Sequence, residues 1–192
     1  EAFARFERER SLPRDFLRTI NATNPLDNAW ARFETSRITL DEFDCAFRKE
    51  SAAAGHPVNG KEVVALLRGE IRPRMVEALK RCKQRFKVAC LTNNMKTNET
   101  EDNPFDSSEV SRVYALFDGV IESRHLGIRK PDPRFYKLAC EQMAVSAAET
   151  VFLDDLGVNL KPARAMGMTT IKVLDPAQAL TELAVLVGFP LG

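Results

Sequence analysis

The chain has 192 residues, of which 44% are hydrophobic, so it can form one large domain or a core with a smaller attached one. Its 28 Lys and Arg residues nearly balance its 27 Asp and Glu residues, giving a net charge of +1. This balance favours neither a nucleic-acid partner nor a membrane partner. Four cysteines without metal-ligand spacing or disulfide density predict a cytoplasmic protein. The sequence leaves open whether it is a monomer or a homodimer.

Residues 1–69 have the pattern of consecutive helices without a convincing strand. The predicted helix starts are Pro13, Pro25 and a capping box of Thr39 with Glu42. Aromatic residues at helical spacing, expected in the core, are Trp30, Phe33, Phe43 and Phe47. This half is predicted to be a small helical bundle.

From residue 70 onward, helices alternate with short apolar strands. The predicted helices are 72–85, 107–114, 133–143, 160–166 and 176–187. The predicted strands are 86–91, 119–121, 151–153 and 169–173. This alternation predicts an α/β domain whose parallel strands are joined by right-handed crossovers.

Polar residues follow the predicted strands at the edge where ligands bind in open α/β sheets. Thr92 and Asn93 follow the first strand, and Asp154 with Asp155 follow the third. The hydroxyl of Thr92 and the amide of Asn93 are suited to hydrogen-bond phosphoryl oxygens. The alternative for these two residues is an ordinary turn at the end of a strand.

The adjacent carboxyl groups of Asp154 and Asp155 predict a bound cation, because two neighbouring carboxylates repel each other near a buried strand end. Side chains alternate along a strand, so the two cannot point the same way. We therefore expect Asp155 to bind a hard cation directly and Asp154 to act through water. Oxygen ligands without a His or Cys cluster favour Mg²⁺. The alternative is an exposed acidic turn that caps the next helix.

Lys130 lies in the loop between the second strand and the next helix. Pro131 is expected to hold it extended, and Asp132 is expected to cap a helix that begins at Pro133. This arrangement would direct the lysine toward the strand ends, where it can neutralise a phosphate or a carboxylate. The alternative is a surface lysine before a helix.

Three segments resemble the second, third and fourth motifs of the haloacid dehalogenase (HAD) superfamily. They are LTNN from Leu91, GIRKPDPRFY from Gly127, and VFLDDLGVNLKPARAMGMTTIKV from Val151. The run 117–173 is similar to the amino-terminal phosphatase domain of soluble epoxide hydrolases. The resemblance implies a Rossmann-like, three-layer parallel-sheet core over residues 70–192. It also implies that residues 1–69 form the helical cap of such enzymes.

The same resemblance implies a Mg²⁺-dependent phosphatase that hydrolyses a small phosphomonoester, its only expected partner, through an aspartyl-phosphate. The implied catalytic residues are Lys130 and Thr92. The implied phosphate-binding residues are Thr92, Asn93, Lys130 and Asn159. The implied magnesium ligands are Asp155 and, in a supporting role, Asp154.

The family's first motif, an apolar strand that ends in the nucleophilic Asp, does not occur in this sequence. We expect it upstream of Glu1, on about 10 to 20 further residues that include a strand of ~5–6 residues. In the family this strand lies between those that end here at Leu91 and Leu153. The chain that begins at Glu1 is expected to be inactive by itself.

Two other functions remain open from the sequence. A 2-haloacid dehalogenase shares the scaffold but needs no metal and lacks paired acids in the fourth motif. A non-catalytic phosphate- or metal-binding protein is the alternative if the natural chain begins at Glu1. The sequence does not select among sugar phosphates, nucleotides, lipid phosphates and acyl phosphates as substrates.

Overall fold

The computed structural model describes residues 2–67, 70–95 and 108–191. The helices are α1 (Ala2–Glu9), α2 (Phe16–Ala22), α3 (Ala29–Glu34), α4 (Leu40–Ala53), α5 (Gly60–Ala65), α6 (Pro73–Lys83), α7 (Ser108–Tyr114), α8 (Ser123–Leu126), α9 (Pro133–Met143), α10 (Gly157–Ala165) and α11 (Pro176–Val187). The strands are β1 (Ala89–Thr92), β2 (Gly119–Glu122), β3 (Val151–Asp154) and β4 (Thr169–Lys172). The predicted boundary at residue 69 and the predicted helix start at Ser107 lie outside the described residues.

The described residues fall into two compact units. The first contains residues 2–67, 93–95 and 123–127, and the second contains 70–92, 108–122 and 128–191. In the described part of the chain the first unit is helical, and all strands lie in the second. The assignment of residues 1–69 as a cap domain stays a prediction.

The capping box predicted at the start of α4 is confirmed. The hydroxyl of Thr39 accepts the N–H of Glu42, at 3.2 Å, while the Glu42 carboxylate accepts the N–H of Thr39, at 2.7 Å. These reciprocal bonds satisfy two N–H groups that a helix start leaves without partners.

The two helix starts predicted from prolines are wrong. After Pro13 the chain makes a turn, and α2 begins only after Asp15, which is left-handed with φ 58°. The N–H of Asp15 donates to the buried carboxylate of Glu7, at 3.1 Å, and this long-range contact fixes the turn. After Pro25 another turn delays α3 until Asn28 provides a side-chain cap.

The core of the first unit is an aromatic cluster, as predicted. Phe33 stacks on Phe43 with 4.7 Å between ring centroids. Trp30 and Phe47 pack against Phe43 at centroid distances of 5.5 and 5.4 Å. All four side chains are buried. Since burying one such side chain contributes about 1.5–3 kcal/mol, this cluster is a main source of the unit's stability.

The strands of the second unit pair in parallel, as predicted, but they form two separate two-stranded sheets. Strand β1 pairs with β2, and β3 pairs with β4. Within the described residues, β1 and β3 do not pair with each other. Each therefore keeps one edge whose backbone groups have no strand partner there.

Side chains connect the two sheets of this unit. Phe152 of β3 and Tyr136 of α9 are buried in one apolar cluster, and Leu91 of β1 packs against it. This cluster brings residues of β1 and β3 into one packed core. No helix in the described part of the chain has the length and apolar character to cross a membrane.

The helices of the second unit follow the predicted bounds closely. Helices α9 and α11 begin and end at the predicted residues. Helix α10 begins at Gly157 rather than Leu160, because the N–H of Asn159 already bonds to the carbonyl of Leu156, at 2.9 Å.

We predict that Gly60→Ala destabilises the first unit. A Cβ at this position would lie 2.7 Å from Cε1 of Phe43, whose ring is locked in the aromatic cluster. The expected loss is about 1–3 kcal/mol of unfolding free energy, measured by urea denaturation. Gly157→Ala is the control, because its Cβ would meet nothing within 4 Å. Equal midpoints for the two variants would contradict the prediction.

Candidate active site

The two adjacent carboxyl groups point to different environments, as expected from the alternation of strand side chains. Asp154 is the last residue of β3, and it is only 8% exposed. Asp155 is the first residue after the strand and is exposed to solvent. The pair is thus divided into one buried and one exposed carboxylate.

Lys130 and Asp154 form a buried ion pair. The Lys130 Nζ lies 2.7 Å from Asp154 Oδ2, and the two side chains are 11% and 5% exposed. A buried charge is strongly unfavourable unless an opposite charge and hydrogen bonds compensate it. Lys130 is therefore not the surface lysine that the sequence left open as an alternative.

The Asp154 carboxylate accepts further hydrogen bonds from the start of α10. The backbone N–H of Leu156 donates to Oδ1, at 2.8 Å. The side-chain amide of Asn159 donates to both oxygens, at 3.0 and 3.1 Å. Together with Lys130, these donors fill about the four acceptor positions of a carboxylate. Asp154 is therefore fixed in orientation and has little capacity left to bind a metal directly.

The loop that carries Lys130 is anchored by the start of α9, as predicted. Pro133 is the first residue of this helix, and Asp132 caps it by accepting the N–H of Arg134, at 2.9 Å. The guanidinium of Arg134 also bonds to Asp132 and lowers the pKa of its carboxyl group. The Lys130–Pro131 peptide bond is cis. The helix cap thus fixes the chain two residues after the lysine.

The ammonium group of Lys130 lies close to both sheets. It is 5.5 Å from the ring centroid of Phe152 on β3, within the range of a cation–π contact. On β1, burial raises the pKa of the Cys90 thiol to about 11, although the nearby charge of Lys130 opposes this increase. The ammonium therefore contacts β3, and its charge also acts on the thiol of β1.

Thr92 and Asn93 are separated by the division into units. Thr92 is partly buried at the end of β1, opposite Glu122 of β2. Asn93 begins the segment that belongs to the first unit. The structure therefore brings together Lys130, Asp154 and Asn159. The roles predicted for Thr92 and Asn93 stay predictions.

Two residues that hold this ion pair were not identified from the sequence. Phe152 lies beneath the ammonium of Lys130, and the hydroxyl of Tyr136 donates to the backbone carbonyl of Asn159, at 2.7 Å. The sequence did contain one indication of this role, because helical spacing places Tyr136 on the buried face of α9. Its polar group requires a partner there, but the sequence does not say which one.

The donor set suits a loosely held Mg²⁺ ion better than a preformed metal centre. Among the described residues, no three His, Cys, Asp or Glu side chains gather around one point. Direct binding would fall to Asp155, whose carboxylate is exposed and has no hydrogen bond or ion pair within the described part of the chain. Mg²⁺ typically keeps several waters and uses one or two carboxylates together with substrate oxygens. The residues present fit that mode of binding.

The chain belongs to the haloacid dehalogenase-like hydrolases, because the model of that family matches residues 4–167. The parallel α/β unit and the Lys130–Asp154 pair agree with the third and fourth motifs of the family. This result confirms the family and fold class that the sequence motifs predicted.

Two curated proteins and one solved structure illustrate the similarity. Bifunctional epoxide hydrolase 2 of Sus scrofa is 35% identical over 99% of this chain and 36% of its own length. The sesquiterpene phosphatase of Aspergillus oryzae is 33% identical over 83% of this chain and 79% of its own length. A HAD-family enzyme of Bacteroides thetaiotaomicron, solved with magnesium and inorganic phosphate, has a TM-score of 0.54 at 20% identity, covering 85% of this chain and 87% of its own. The chain spans about a third of the length of the epoxide hydrolases that it matches.

We predict that Lys130→Met destabilises the second unit by about 3 kcal/mol, because it leaves the Asp154 charge buried without its cation. Urea denaturation measures the change. The double variant Lys130→Met with Asp154→Asn should lose less than the sum of the single changes, since neither charge then remains. Lys137→Met on α9 is the control, because this lysine is exposed and its 3.9 Å pair with Glu141 contributes little. A Lys130→Met midpoint equal to that of the control would contradict the prediction.

We also predict that Cys90 resists alkylation in the folded protein. With a thiol pKa of about 11, only about one molecule in a thousand carries the reactive thiolate at pH 8. Iodoacetamide should therefore label the exposed Cys45 first and label Cys90 only in urea. Mass spectrometry of the peptides distinguishes the sites. Equal labelling rates without urea would show that β1 is not packed as described.

Proposed function

We propose that the protein is a magnesium-dependent phosphatase that hydrolyses a small phosphomonoester through an aspartyl-phosphate. The observation that carries this proposal is the buried ion pair of Lys130 and Asp154 beside the exposed Asp155. A fixed ammonium group and an accessible carboxylate at the end of a parallel strand are complementary to a phosphoryl group and its cation.

Lys130 is proposed to stabilise the charge of the phosphoryl group during its transfer. The bond to Asp154 fixes the direction of the ammonium group, so little reorganisation is needed when negative charge develops on the phosphoryl oxygens. Burial increases the effect, because electrostatic interactions are stronger away from bulk water. The ion pair is therefore proposed to prepare Lys130 for catalysis.

The other predicted residues have supporting roles in this proposal. Thr92 and Asn93 are proposed to donate hydrogen bonds to the phosphoryl oxygens. Asn159 is proposed to act mainly by holding Asp154, since its amide already donates to both carboxylate oxygens. This role does not require that Asn159 contact phosphate.

The reaction requires a nucleophilic carboxylate, which we propose lies on the strand expected before Glu1. Its oxygen would form a bond to phosphorus while the ester P–O bond breaks, and the leaving alkoxide would take a proton from a general acid, which recovers that proton from the water of the second step. Water would then cleave the acyl phosphate to phosphate and the free carboxylate. Asp155 would hold Mg²⁺ directly and Asp154 would support it through water. When bound, the ion supplies positive charge that neutralises the phosphoryl oxygens.

A curated relative supports a phosphatase, since it is 33% identical and is named a sesquiterpene phosphatase. The solved structures of the same fold include a dehalogenase as well as an enzyme with magnesium and inorganic phosphate, so they do not choose between the two activities. The paired acids oppose the 2-haloacid dehalogenase alternative, because such enzymes lack them and need no metal. The proposed partner is a small phosphorylated metabolite.

The first unit is proposed to be the cap that selects the substrate. Its buried aromatic cluster makes it a compact body with its own core, as a domain that closes over a site must be. The proposed compartment is the cytoplasm, supported by four cysteines that are all free.

We predict that Asp155→Asn lowers kcat for phosphomonoesters by at least about 100-fold and weakens Mg²⁺ binding, because the amide lacks the charge that binds the ion. The measurement is phosphate release by the protein in its natural full length, over a panel of substrates and magnesium concentrations. Glu141→Gln is the matched control, since this exposed carboxylate lies on the surface of α9. Its kcat should be unchanged.

Three outcomes would overturn the proposed function. Phosphate release that survives EDTA would remove the role of magnesium. Chloride release from a 2-haloacid, with no phosphate release from any phosphomonoester, would establish the dehalogenase instead. Phosphate binding without turnover by the full-length protein would indicate a non-catalytic binding protein.

A further inference from the structure

Tyr136 contacts the structures that hold both partners of the ion pair. It lies on α9 and is fully buried. Its hydroxyl donates to the backbone carbonyl of Asn159, at 2.7 Å. Its ring packs edge-on against Phe152, with 5.5 Å between centroids and an interplanar angle of 85°.

The hydrogen bond of the Tyr136 hydroxyl matters because the first turn of α10 lacks one of its internal hydrogen bonds. Pro162 lies inside this helix and has no N–H. In a regular helix that N–H would bond to the carbonyl of Val158, so the turn that carries Asn159 lacks one internal hydrogen bond. The Tyr136 hydroxyl attaches this turn to α9 instead. Because the side chain of Asn159 donates to Asp154, fixing the turn also fixes the carboxylate.

The ring of Tyr136 packs against Phe152, which in turn contacts Lys130, the other member of the ion pair. Phe152 lies beneath the ammonium of Lys130, 5.5 Å from the ring centroid to Nζ. An edge-on aromatic neighbour is a favourable contact that restricts the rotation of that ring. Burial and the nearby charge of Asp154 raise the pKa of Tyr136, so its hydroxyl remains a donor.

We infer that Tyr136 is a positioning residue for the proposed reaction. Through Asn159 it fixes Asp154, and through Phe152 it supports Lys130. The inference rests on the proposed function for its kinetic consequence only. Its structural consequence, the fixed geometry of the ion pair, is testable without any activity.

The first test is nuclear magnetic resonance of wild-type protein and Tyr136→Phe, which keeps the ring and removes the hydroxyl. The side-chain amide protons of Asn159, bonded to a carboxylate, should exchange slowly in the wild type. Loss of the hydroxyl bond should speed their exchange about fivefold or more, because one hydrogen bond contributes about 1 kcal/mol. Unchanged exchange and unchanged Lys130 ammonium signals in Tyr136→Phe would overturn the inference.

The second test is kinetic and separates positioning from stability. Tyr136→Phe should lower kcat about fivefold and leave KM within about twofold. The reason is that the displaced Lys130 ammonium is proposed to stabilise the transition state. Tyr136→Leu, which removes the ring as well, should lower kcat further. Phe135→Leu is the control, since Phe135 is a fully buried neighbour without a polar contact to α10. It should reduce stability but leave kcat unchanged.

The two tests distinguish the failure of the inference from the failure of the proposed function. If wild-type protein hydrolyses no phosphomonoester while Tyr136→Phe alters the Asn159 signals, the proposed function is wrong and the positioning role holds. If Phe135→Leu lowers kcat as much as Tyr136→Phe, the effect reflects stability and the positioning role is wrong.

Discussion

The arrangement of the second unit depends on the burial of one ion pair. Separating Lys130 and Asp154 from water costs several kcal/mol for each charge, and only a close partner with additional hydrogen bonds offsets that cost. The start of α10 donates hydrogen bonds to Asp154, and the ring of Phe152 on β3 makes a cation–π contact with Lys130. The loop before α9, the end of β3 and the start of α10 must therefore adopt their positions together.

This dependence explains why two adjacent acids lie at the end of β3. If both carboxylates were buried, a single lysine would leave one charge uncompensated; if both were exposed, neither would fix the lysine. Alternation along the strand gives Asp154 to the ion pair and leaves Asp155 in solvent. Asp154 thus holds Lys130 in place, and Asp155 keeps the accessible oxygens that a hard cation requires.

The sequence predicted features that depend on neighbouring residues and failed where distant residues decide. The capping box of α4, the bounds of α9 and the parallel pairing follow from local signals. The helix predicted at Pro13 is replaced by a turn that the distant carboxylate of Glu7 fixes. For the same reason the motifs indicated Lys130 and Asp154 as site residues, but not their contact with each other. The roles of Tyr136 and Phe152 depend on packing between elements far apart in sequence, which no local pattern encodes.

The separation of the strands into two pairs bears on the expected central strand. Apolar side chains already join the pairs, because Leu91 of β1 packs on the cluster around Phe152 of β3. The backbone edges of β1 and β3 nevertheless have no strand partner within the described residues, and such edges favour the addition of an extended segment. A parallel strand between them would bring its carboxyl end to the same edge of the unit as Asp154, the last residue of β3, and its partner Lys130. We therefore propose that a carboxylate on that strand acts beside this ion pair.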